Sequence, residues 1–346
     1  MLNKIKNTIE KSLPAYLKSL DKQYALTNNS PLLFRSIREF VLRKGKRVRP
    51  TLFVIGYLGF AKKEAQGLYA SALSLELLHD FMLVHDDIID KSSLRRGKPA
   101  MHTMLNAYLK KYPAAKFNGQ DLAIVIGDVM YAMALHTFLS IRVDARRKEK
   151  ALKKLIEAAL FTGSGEFIEL LLGIRDIKTI AKDDIYKVYD LKTAYYTFAC
   201  PLAMGAIVGG AAEPEAERLF TYGVSLGRAF QIKDDIIGMF SDEQKTGKST
   251  LTDLAEAKKT ILVWAAYQRA GTKDKAEIRT IMTKTAIHRN DLARMRGIIT
   301  ATGSLDYAKQ EVTALTQKAE ALLASAKIPL PCKRLLRSYS QEILRV

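Results

Sequence analysis

Apolar residues recur at spacings of three and four along nearly the whole chain, the period of helices that lie against a core. The sequence offers no good run of alternating β-branched residues, and only nine prolines and twenty scattered glycines interrupt the pattern. The pattern therefore predicts an all-α protein. We place its helices at residues 3–21, 31–43, 50–60, 65–90, 121–142, 145–172, 182–209, 213–239, 258–270, 274–285, 289–300, 304–326 and 332–344.

The connections between these helices are short, and none has the length of an interdomain linker. The 346 residues, 48% of them apolar, are enough for one large core, so we expect a single domain over residues 1–346. The amphipathic N-terminus lacks the apolar stretch of a signal peptide, and no window reaches roughly 18 uncharged apolar residues. With Cys200 and Cys332 outside any metal-binding spacing, we expect a cytoplasmic protein without a transmembrane segment.

Two acidic segments stand out against this helical background: HDDIID at residues 85–90 and KDDIIG at residues 233–238. Carboxylates rarely lie in such apolar surroundings unless a positive group accompanies them. Paired carboxylates suit hard divalent cations and a phosphate-bearing ligand. We therefore expect the two segments to face each other across one cleft.

A single stripe of the helix predicted over residues 65–90 leads into the first acidic segment, and it consists of Leu75, His79, Met82, Asp86 and Asp90. Asp87 lies about 100° around the helix, still within reach of a shared ion. The helix dipole disfavours each carboxylate at this end by about 0.3–1 kcal/mol, and a bound cation would reverse the effect. A solvated acidic helix end is the alternative, and the second copy of the segment favours the metal.

Basic residues that could bind a phosphate-bearing ligand accompany the two acidic segments. Lys and Arg outnumber Asp and Glu by 55 to 36, and the net charge of +19 indicates nucleic acid, an anionic membrane surface or diphosphates as partners. Guanidinium and ammonium groups suit phosphate oxygens. The candidates are Lys46 and Arg49 in a loop interrupted by glycine, Arg95 and Arg96 directly after the first acidic segment, Lys192 inside a helix, Lys248 after a glycine and Lys258 at the start of a helix. Interleaved aromatics or a recognition helix for nucleic acid are not evident, so we expect diphosphates.

Several motifs occur in a fixed order: GKRVRP at residues 45–50, ELLHDFMLVHDDIID at 76–90, RRGKP at 95–99, GDVMYAMA at 127–134, KTAYYT at 192–197, FQIKDDIIG at 230–238 and TGKST…KKT at 246–260. By these motifs the chain resembles the trans-isoprenyl diphosphate synthases, the polyprenyl synthetase family that includes farnesyl and geranylgeranyl diphosphate synthases. The resemblance implies an all-α bundle around a central cavity, usually a homodimer. It also implies a prenyltransferase that condenses isopentenyl diphosphate with an allylic diphosphate.

The same resemblance implies roles for individual residues. Mg²⁺, as three ions per active site, would bind to Asp86, Asp87, Asp90, Asp234 and Asp235. The diphosphate of isopentenyl diphosphate would be held by Lys46, Arg49, His79 and Arg96. The allylic diphosphate would be held by Arg95, Lys192, Lys248 and Lys258. The residues beside the reacting carbons would be Thr193 and Gln231.

Three positions depart from the family pattern. Gly238 replaces the third aspartate of the second acidic segment, and Asp242 lies one helical turn further on as a weak substitute. Glu166 stands where the family usually has glutamine, and Lys44 stands where it usually has glycine. Because Mg²⁺ keeps several waters and needs few protein carboxylates, the loss at Gly238 weakens the metal hypothesis only slightly.

Product length depends on what closes the tunnel below the metals. Met82 lies one turn, about 5.4 Å, below Asp86 on the same face. An ideal helical wheel turns Phe81 away from that face, but the resemblance gives its position the role of the tunnel floor. A motif with one aromatic residue at this position and no insertion is most similar to that of geranylgeranyl diphosphate synthases. Farnesyl diphosphate synthases are the next most similar class. Plain core packing of both side chains is the alternative.

Three rival functions remain open at this stage. A class I terpene cyclase shares the fold and the first acidic segment, but it needs no second substrate site, so Lys46, Arg49 and Arg96 argue against it. A non-catalytic subunit of a heteromeric synthase tends to lose aspartates, whereas five of six remain here. A basic helical protein that binds nucleic acid is the third rival.

Overall fold

The computed structural model describes residues 1–241 and 251–345, and it confirms the all-α prediction. The helices are α1 (Leu2–Tyr24), α2 (Leu26–Asn29), α3 (Pro31–Val41), α4 (Val48–Leu58), α5 (Leu68–Ile89), α6 (Met101–Leu109), α7 (Gly119–Phe138), α8 (Ala145–Ile174), α9 (Lys182–Val188), α10 (Cys200–Gly209), α11 (Glu213–Phe240), α12 (Thr252–Ala255), α13 (Ile261–Arg269), α14 (Thr272–Met282), α15 (Arg289–Ala301), α16 (Ser304–Ser325) and α17 (Leu330–Leu344). A 3₁₀ turn covers Ile177–Thr179, and a π-helix covers Tyr189–Ala199.

Most predicted helices are found within a few residues of their predicted bounds. The helix predicted over residues 182–209 is continuous, but its middle third is π-helical, which the apolar pattern cannot reveal. The helix predicted from residue 258 begins at Ile261, because the Thr260 side chain accepts a hydrogen bond from the Val263 N–H at 3.3 Å and caps it. An antiparallel hairpin of two-residue strands, β1 (Leu94–Arg95) and β2 (Lys98–Pro99), was not predicted.

Contacts divide the chain into two compact units. The first contains Met1–Leu155 and Met204–Ala212, and the second contains Ile156–Ala203 and Glu213–Val346. A single domain over residues 1–346 therefore stays a prediction.

Helix α5 is the centre of the first unit. It is buried on nearly every side, and it packs against α7, α6, α4 and α1. Helix α1 covers it with one stripe of residues spaced three or four apart, which are Ile5, Ile9, Leu13, Leu17 and Leu20. Such a central helix is apolar all round, so the few charged side chains that it carries need partners inside the protein.

Helix α11 is the centre of the second unit. The π-helix and α16 pack along it, and the core continues through α13 and α15. Ile232 and Met239 of α11 lie in one apolar cluster with Ile261, Ile278 and Met295. The last turns of α11, which carry the second acidic segment, are therefore fixed by apolar packing.

Helix α7 is the only helix among the described residues that is long and apolar enough to cross a membrane by length and composition alone. Asn118 and Asp121 cap its start with a reciprocal pair of hydrogen bonds, and Asp128 lies within it. One side of α7 packs along α5. Core helices of this kind pass the same test, so the resemblance to a membrane span is a weak indication.

Gly205 marks a close approach of α10 to α4 within the first unit. A Cβ atom at this position would lie 2.1 Å from the Phe53 carbonyl oxygen and 2.8 Å from the Tyr57 nitrogen. Both are backbone atoms, which cannot turn aside as a flexible side chain would. Gly297, in α15, would meet nothing within 4 Å.

We predict that Gly205→Ala destabilises the protein by about 1–3 kcal/mol, because the two helices must separate. Gly297→Ala is the matched control, and it should stabilise the protein by about 0.5–1 kcal/mol, since alanine loses less conformational entropy in a helix. Chemical denaturation followed by circular dichroism measures both. Equal effects of the two substitutions would contradict the close approach.

Candidate active site

The first acidic segment occupies the last turn of α5. Asp86 and Asp87 lie inside that turn, and Asp90 follows the last helical residue, its N–H donating to the Asp86 carbonyl oxygen at 2.8 Å. Asp87 is completely buried, whereas the Asp86 side chain is 23% exposed. A carboxylate oxygen of Asp86 and one of Asp90 lie within 4.8 Å of each other. The turn thus presents two carboxylates outward and one inward.

Arg95 holds the inward carboxylate. Its Nε donates to Asp87 Oδ1 at 2.7 Å, its Nη2 donates to the same oxygen, and Nη2 also reaches Asp86 Oδ2 at 3.3 Å. Burial lowers the pKa of the Arg95 guanidinium, but the hydrogen bond and charge of Asp87 outweigh burial, so the net shift is upward. Arg95 is in turn fixed by Arg43, whose Nη1 donates to its carbonyl oxygen at 3.1 Å.

The hairpin turn that presents Arg95 stores backbone strain. Both residues between the strands, Arg96 and Gly97, have positive φ values, of 55° and 72°. This geometry matches the right-handed twist of the strands, but a residue with a Cβ adopts it at a cost of about 1–3 kcal/mol. From this turn, the Arg96 side chain contacts two carboxylates of α5.

Those two carboxylates belong to Glu76 and Asp80, one turn apart on α5 and both buried. Arg96 Nη2 donates to Asp80 Oδ1 at 3.2 Å and lies 3.5 Å from Glu76 Oε1. Arg47 Nη1 lies 2.5 Å from the same Glu76 oxygen, and its Nε donates to Glu10 at 2.8 Å. Burial, and then the charge of Glu76, raise the pKa of Asp80 to about 8.

Two buried atoms of this network have no hydrogen-bond partner among the described residues, Arg96 Nη1 and Asp80 Oδ2. An unpaired buried guanidinium nitrogen is costly unless a ligand completes it. An anion that accepts from Nη1 would do so. The role of Arg96 in binding a diphosphate stays a prediction.

Lys46 and Arg49, which are predicted to bind the same diphosphate as Arg96, lie in or directly after the loop before α4. A Cβ atom at Gly45 would lie 3.5 Å from Arg96 Cζ, so this loop passes directly beside the guanidinium. Lys46 is exposed, and Arg49 is buried in the first turn of α4. Burial, then the charges of Arg49 and Arg96, hold the pKa of His79 well below 6.5, so its imidazole is neutral at pH 7.

Phe81 faces α7. Its ring lies 5.3 Å from that of Tyr131 and 4.8 Å from that of His85. Both Phe81 and Met82 are half-buried. Phe81 points away from the stripe that carries Asp86, as an ideal helix requires. The role of either side chain in limiting product length stays a prediction.

In the second unit, Lys192 and Thr193 lie in the π-helix. A Cβ atom at Gly165 would lie 2.7 Å from the Lys192 nitrogen, so α8 and the π-helix touch through their backbones here. Lys192 Nζ lies 2.6 Å from Glu166 Oε2 and also pairs with Glu169. The glutamate that replaces the usual glutamine therefore binds a residue predicted to hold the allylic diphosphate.

A chain of hydrogen bonds connects Thr193 to the second acidic segment. The Thr193 hydroxyl donates to Gln231 Oε1 at 2.7 Å, and Gln231 Nε2 donates to Asp235 Oδ1 at 2.9 Å. The Tyr189 hydroxyl donates to the other oxygen of Asp235 and accepts from the Ile261 N–H at 3.0 Å. Burial, and then Asp235, raise the pKa of Tyr189 well above its ordinary value, so it stays a donor.

The two acidic segments share one construction. In each, the second aspartate is buried and held, Asp87 by Arg95 and Asp235 by Tyr189 and Gln231. In each, the first aspartate lies closer to solvent, since Asp86 is half-buried and Asp234 is exposed. Successive residues on a helix differ by about 100°, which separates the two roles.

Of the remaining positions named from the sequence, Lys258 and Gly238 lie within the described part of the chain and two others lie outside it. Lys258 Nζ lies 2.6 Å from Glu256 Oε2. Gly238 is inside α11. Lys248 and Asp242 fall within residues 242–250, which lie outside the described residues.

These side chains fit a divalent cation. A hard ion bonds to carboxylate oxygens at roughly 2.0–2.6 Å, and the spacing of the Asp86 and Asp90 oxygens allows one ion to bind both. The buried partners Asp87 and Asp235 hold the outward carboxylates in place.

A cavity of about 460 Å³ in the second unit contains none of the predicted residues. The buried Lys259 lines it and donates to the carbonyl oxygens of Gly173 and Ala257, both at 3.0 Å. Burial lowers the pKa of Lys259 to about 8. The Lys259 ammonium group thus donates hydrogen bonds to carbonyl oxygens at the end of α8, and this contact at the helix terminus accounts for the buried lysine.

Several residues of these networks were missed from the sequence. Glu76 and Asp80 were not singled out, although two acids four apart in an apolar helix are a signal that could have been used. Arg47, within the GKRVRP motif, was not among the candidates, whereas it is buried among carboxylates and carbonyls. Tyr189 gave no signal, because its role depends on the π-helix.

Comparisons with known proteins identify the family of this chain. Residues 30–299 match the family described as polyprenyl synthetase. The chain is similar to the geranylfarnesyl diphosphate synthase of Aeropyrum pernix, with 32% identity over 285 residues, 81% of this chain and 83% of that protein. It is also similar to the geranylgeranyl diphosphate synthase of Saccharolobus solfataricus, with 31% identity over 266 residues, 76% of this chain and 75% of that protein.

Among solved structures, the chain is similar to a geranylgeranyl pyrophosphate synthase from Corynebacterium glutamicum. That crystal structure is complexed with isoprenyl diphosphate and magnesium. The TM-score is 0.90, the identity is 27%, and the match covers 100% of this chain and 99% of that one.

The buried Asp80 generates a prediction about stability and pH. The unfolded chain ionises this carboxyl near pH 3.8, whereas the folded protein keeps its proton up to about pH 8. The folded state therefore binds the extra proton between these values, and stability contributed by this group falls as the pH rises through them. Asparagine cannot ionise. The Tm of Asp80→Asn should therefore fall less between about pH 6 and pH 8.5 than the Tm of the unmodified protein does.

Thermal unfolding at both pH values measures this difference. Asp306→Asn, a change at an exposed aspartate of α16, is the control and should keep the original pH dependence. If Asp80→Asn lost as much Tm as the unmodified protein over this range, Asp80 would not hold a proton in the fold.

Proposed function

Since the chain belongs to the polyprenyl synthetase family, we propose that it condenses isopentenyl diphosphate head-to-tail with a C5 to C15 allylic diphosphate to give geranylgeranyl diphosphate. At the coarser level the chain is a prenyltransferase that makes a short-chain prenyl diphosphate. The observation that carries the proposed condensation is the paired construction of the two acidic segments, each with one held aspartate and one outward aspartate, beside lysines and arginines.

Geranylgeranyl diphosphate is the favoured product for two reasons. The first acidic segment has no two-residue insertion, and an aromatic side chain, Phe81, occupies the position five residues before Asp86. The similar proteins are named as both geranylgeranyl and geranylfarnesyl diphosphate synthases, so sequence similarity alone does not select the chain length of the product. Farnesyl diphosphate is the alternative product.

The reaction depends on a divalent metal, which we propose to be Mg²⁺ as three ions. Its ligands would be the carboxylates of both acidic segments, with Asp86, Asp90 and Asp234 directed outward. When bound, the metal neutralises the charge that develops on the allylic diphosphate as its C–O bond breaks.

The chain's own residues do the remaining work. Lys192 and Lys258 add fixed positive charge at the allylic diphosphate. Arg96 Nη1, Arg49 and Lys46 hold the diphosphate of isopentenyl diphosphate, so that its double bond attacks the allylic carbon. The Thr193 hydroxyl and the Gln231 amide, fixed by their mutual hydrogen bond, line the reacting carbons. The departing diphosphate then takes the proton that the new carbon chain loses.

A homodimer is part of the proposal, and an exposed apolar stripe supports it. On α8, Ile156, Leu160, Gly163 and Phe167 follow one another at spacings of four, three and four, and all are exposed. Leu160 and Phe167 are 61% and 65% exposed, which is unusual for such side chains in one row. The spacing is that of a helix seam, and Gly163 would let a second helix approach closely. We also expect the dimer to reside in the cytoplasm.

One assay tests the function. Radiolabelled isopentenyl diphosphate is incubated with C5, C10 or C15 allylic diphosphates, with and without Mg²⁺, and the products are sized by chromatography. The proposal predicts Mg²⁺-dependent C20 diphosphate from every primer. Conversion of an allylic diphosphate to a hydrocarbon without isopentenyl diphosphate would favour a terpene cyclase. Absence of any turnover by the folded protein would favour a non-catalytic subunit.

Asp86→Ala should lower turnover at least 100-fold, because it removes the outward carboxylate nearest the allylic diphosphate. Its circular dichroism and Tm should stay close to those of the unmodified protein, since the buried Asp87–Arg95 pair remains. Asp306→Ala, at an exposed site of α16, is the control and should keep full activity. Unchanged turnover of Asp86→Ala would remove the metal hypothesis.

Phe81→Ala combined with Met82→Ala should shift the product beyond C20, because the two changes remove the floor proposed for the growing chain. Product sizing by chromatography measures the shift. Leu73→Ala, a change at a fully buried residue of the same helix, is the control for a general loss of packing. An unchanged product in the double variant, or an equal shift in the control, would show that the floor lies elsewhere.

Leu160→Glu should convert the dimer to a monomer, because the charge would be buried in the seam. Light scattering after size exclusion measures the mass. Lys309→Glu, at an exposed position of α16 outside the stripe, should leave the dimer intact. A dimer that survives Leu160→Glu, or a monomeric unmodified protein, would contradict the proposed seam.

A further inference from the structure

The positive charge of this chain is distributed unevenly. Between Asp90 and Asp121 lie thirty residues without one acidic side chain, and seven of them are lysine or arginine. Arg95 and Arg96 donate hydrogen bonds to carboxylates of α5 and belong to the candidate active site. The other five are lysines, and three of these, Lys110, Lys111 and Lys116, lie in the loop between α6 and α7.

That loop, residues 110–118, also exposes aromatic side chains. Tyr112 is 53% exposed and Phe117 is 51% exposed, although aromatic rings of this size usually find cover. The three lysines of the loop, which lie next to these aromatic residues in the sequence, are exposed as well. The loop therefore presents two half-exposed rings and three ammonium groups within eight residues.

This arrangement is built into the fold. At one end, the Tyr112 N–H donates to the Leu109 carbonyl oxygen at 2.8 Å, and the Ala115 N–H donates to the Tyr112 carbonyl oxygen at 3.0 Å. At the other end, the Gly119 N–H donates to Asn106 Oδ1 at 2.7 Å, which ties the start of α7 to α6. A Cβ atom at Gly119 would lie 2.3 Å from the His102 carbonyl oxygen, so the closure is tight.

We propose that loop 110–118 is a docking surface for an anionic lipid bilayer. Lysines near such a surface are attracted by the anionic headgroups, and aromatic rings settle at the boundary between headgroups and acyl chains. A loop that offers both together, with no carboxylate, satisfies the two requirements of interfacial binding. Docking is reversible, because only two rings enter the boundary.

Nucleic acid fits this loop less well than lipid does. The loop contains no arginine, the side chain that binds phosphate with two parallel hydrogen bonds. Pro113, Ala114 and Ala115, between the two rings, add apolar surface that a nucleic acid backbone would leave exposed to water. A bilayer boundary accepts that apolar surface. The surface stands independently of the chemistry proposed for the active site, since none of its residues belongs to that site.

Flotation with lipid vesicles tests the proposal on the full chain without any substrate. The protein should float with vesicles of phosphatidylcholine and phosphatidylglycerol, and it should remain behind with phosphatidylcholine alone. Changing Lys110, Lys111 and Lys116 to glutamine should weaken binding roughly 100-fold, since each lysine near an anionic surface contributes about 1 kcal/mol. Tyr112→Ser with Phe117→Ser should also weaken binding, at unchanged net charge.

A matched control separates this surface from general electrostatic attraction. Lys4, Lys11 and Lys18 are exposed on one face of α1, and changing all three to glutamine gives the same net charge as the loop variant. This control should keep most of the binding. Equal losses in the two triple variants would overturn the proposal, and so would an unmodified protein that ignores anionic vesicles.

A fluorescent probe locates the contact. In Phe117→Trp, the new indole should shift its emission to shorter wavelength with anionic vesicles and be quenched by brominated lipids, whereas Tyr24→Trp, at an exposed aromatic of α1, should show neither change. Quenching at position 24 alone would overturn the proposal. So would loop-dependent retention of DNA or RNA on a filter without vesicle binding, which would identify nucleic acid as the partner.

Discussion

The cost of burying a carboxylate in an apolar helix governs this structure. Asp87 in α5 and Asp235 in α11 lie inside the core, where an ionised carboxylate without a partner is strongly unfavourable. Arg95 compensates the first, and Tyr189 with Gln231 compensates the second. With their neighbours held in this way, the outward aspartates keep fixed positions from which they can act on a ligand.

Local irregularities of the backbone follow from that constraint. Arg95, which binds Asp87, lies on the first strand of a tight hairpin whose turn has two positive φ values. Tyr189 can reach Asp235 from the first residue of a π-helix, a conformation that is rare and concentrated at functional sites. The energy that these segments cost is offset by the buried hydrogen bonds that they make possible.

The sequence predicted the fold class, most helices and the position of both acidic segments, because helical periodicity and charged residues in apolar runs are local signals. The hairpin, the π-helix and the pairing of Lys192 with Glu166 were beyond it, since each depends on a neighbour distant in the chain. The sequence also left the high net charge without a location. The structure attributes part of it to loop 110–118, whose lysines are exposed beside two aromatic rings.

The central claim is that aspartates of both acidic segments bind the same diphosphate through divalent ions. The direct measurement is anomalous scattering from crystals grown with Mn²⁺ and a non-cleavable thio analogue of an allylic diphosphate. The account predicts Mn²⁺ peaks beside Asp86 and Asp90 and beside Asp234, with one analogue diphosphate touching ions at both segments. Peaks at one segment only, or a diphosphate bound away from Asp86 and Asp234, would contradict it.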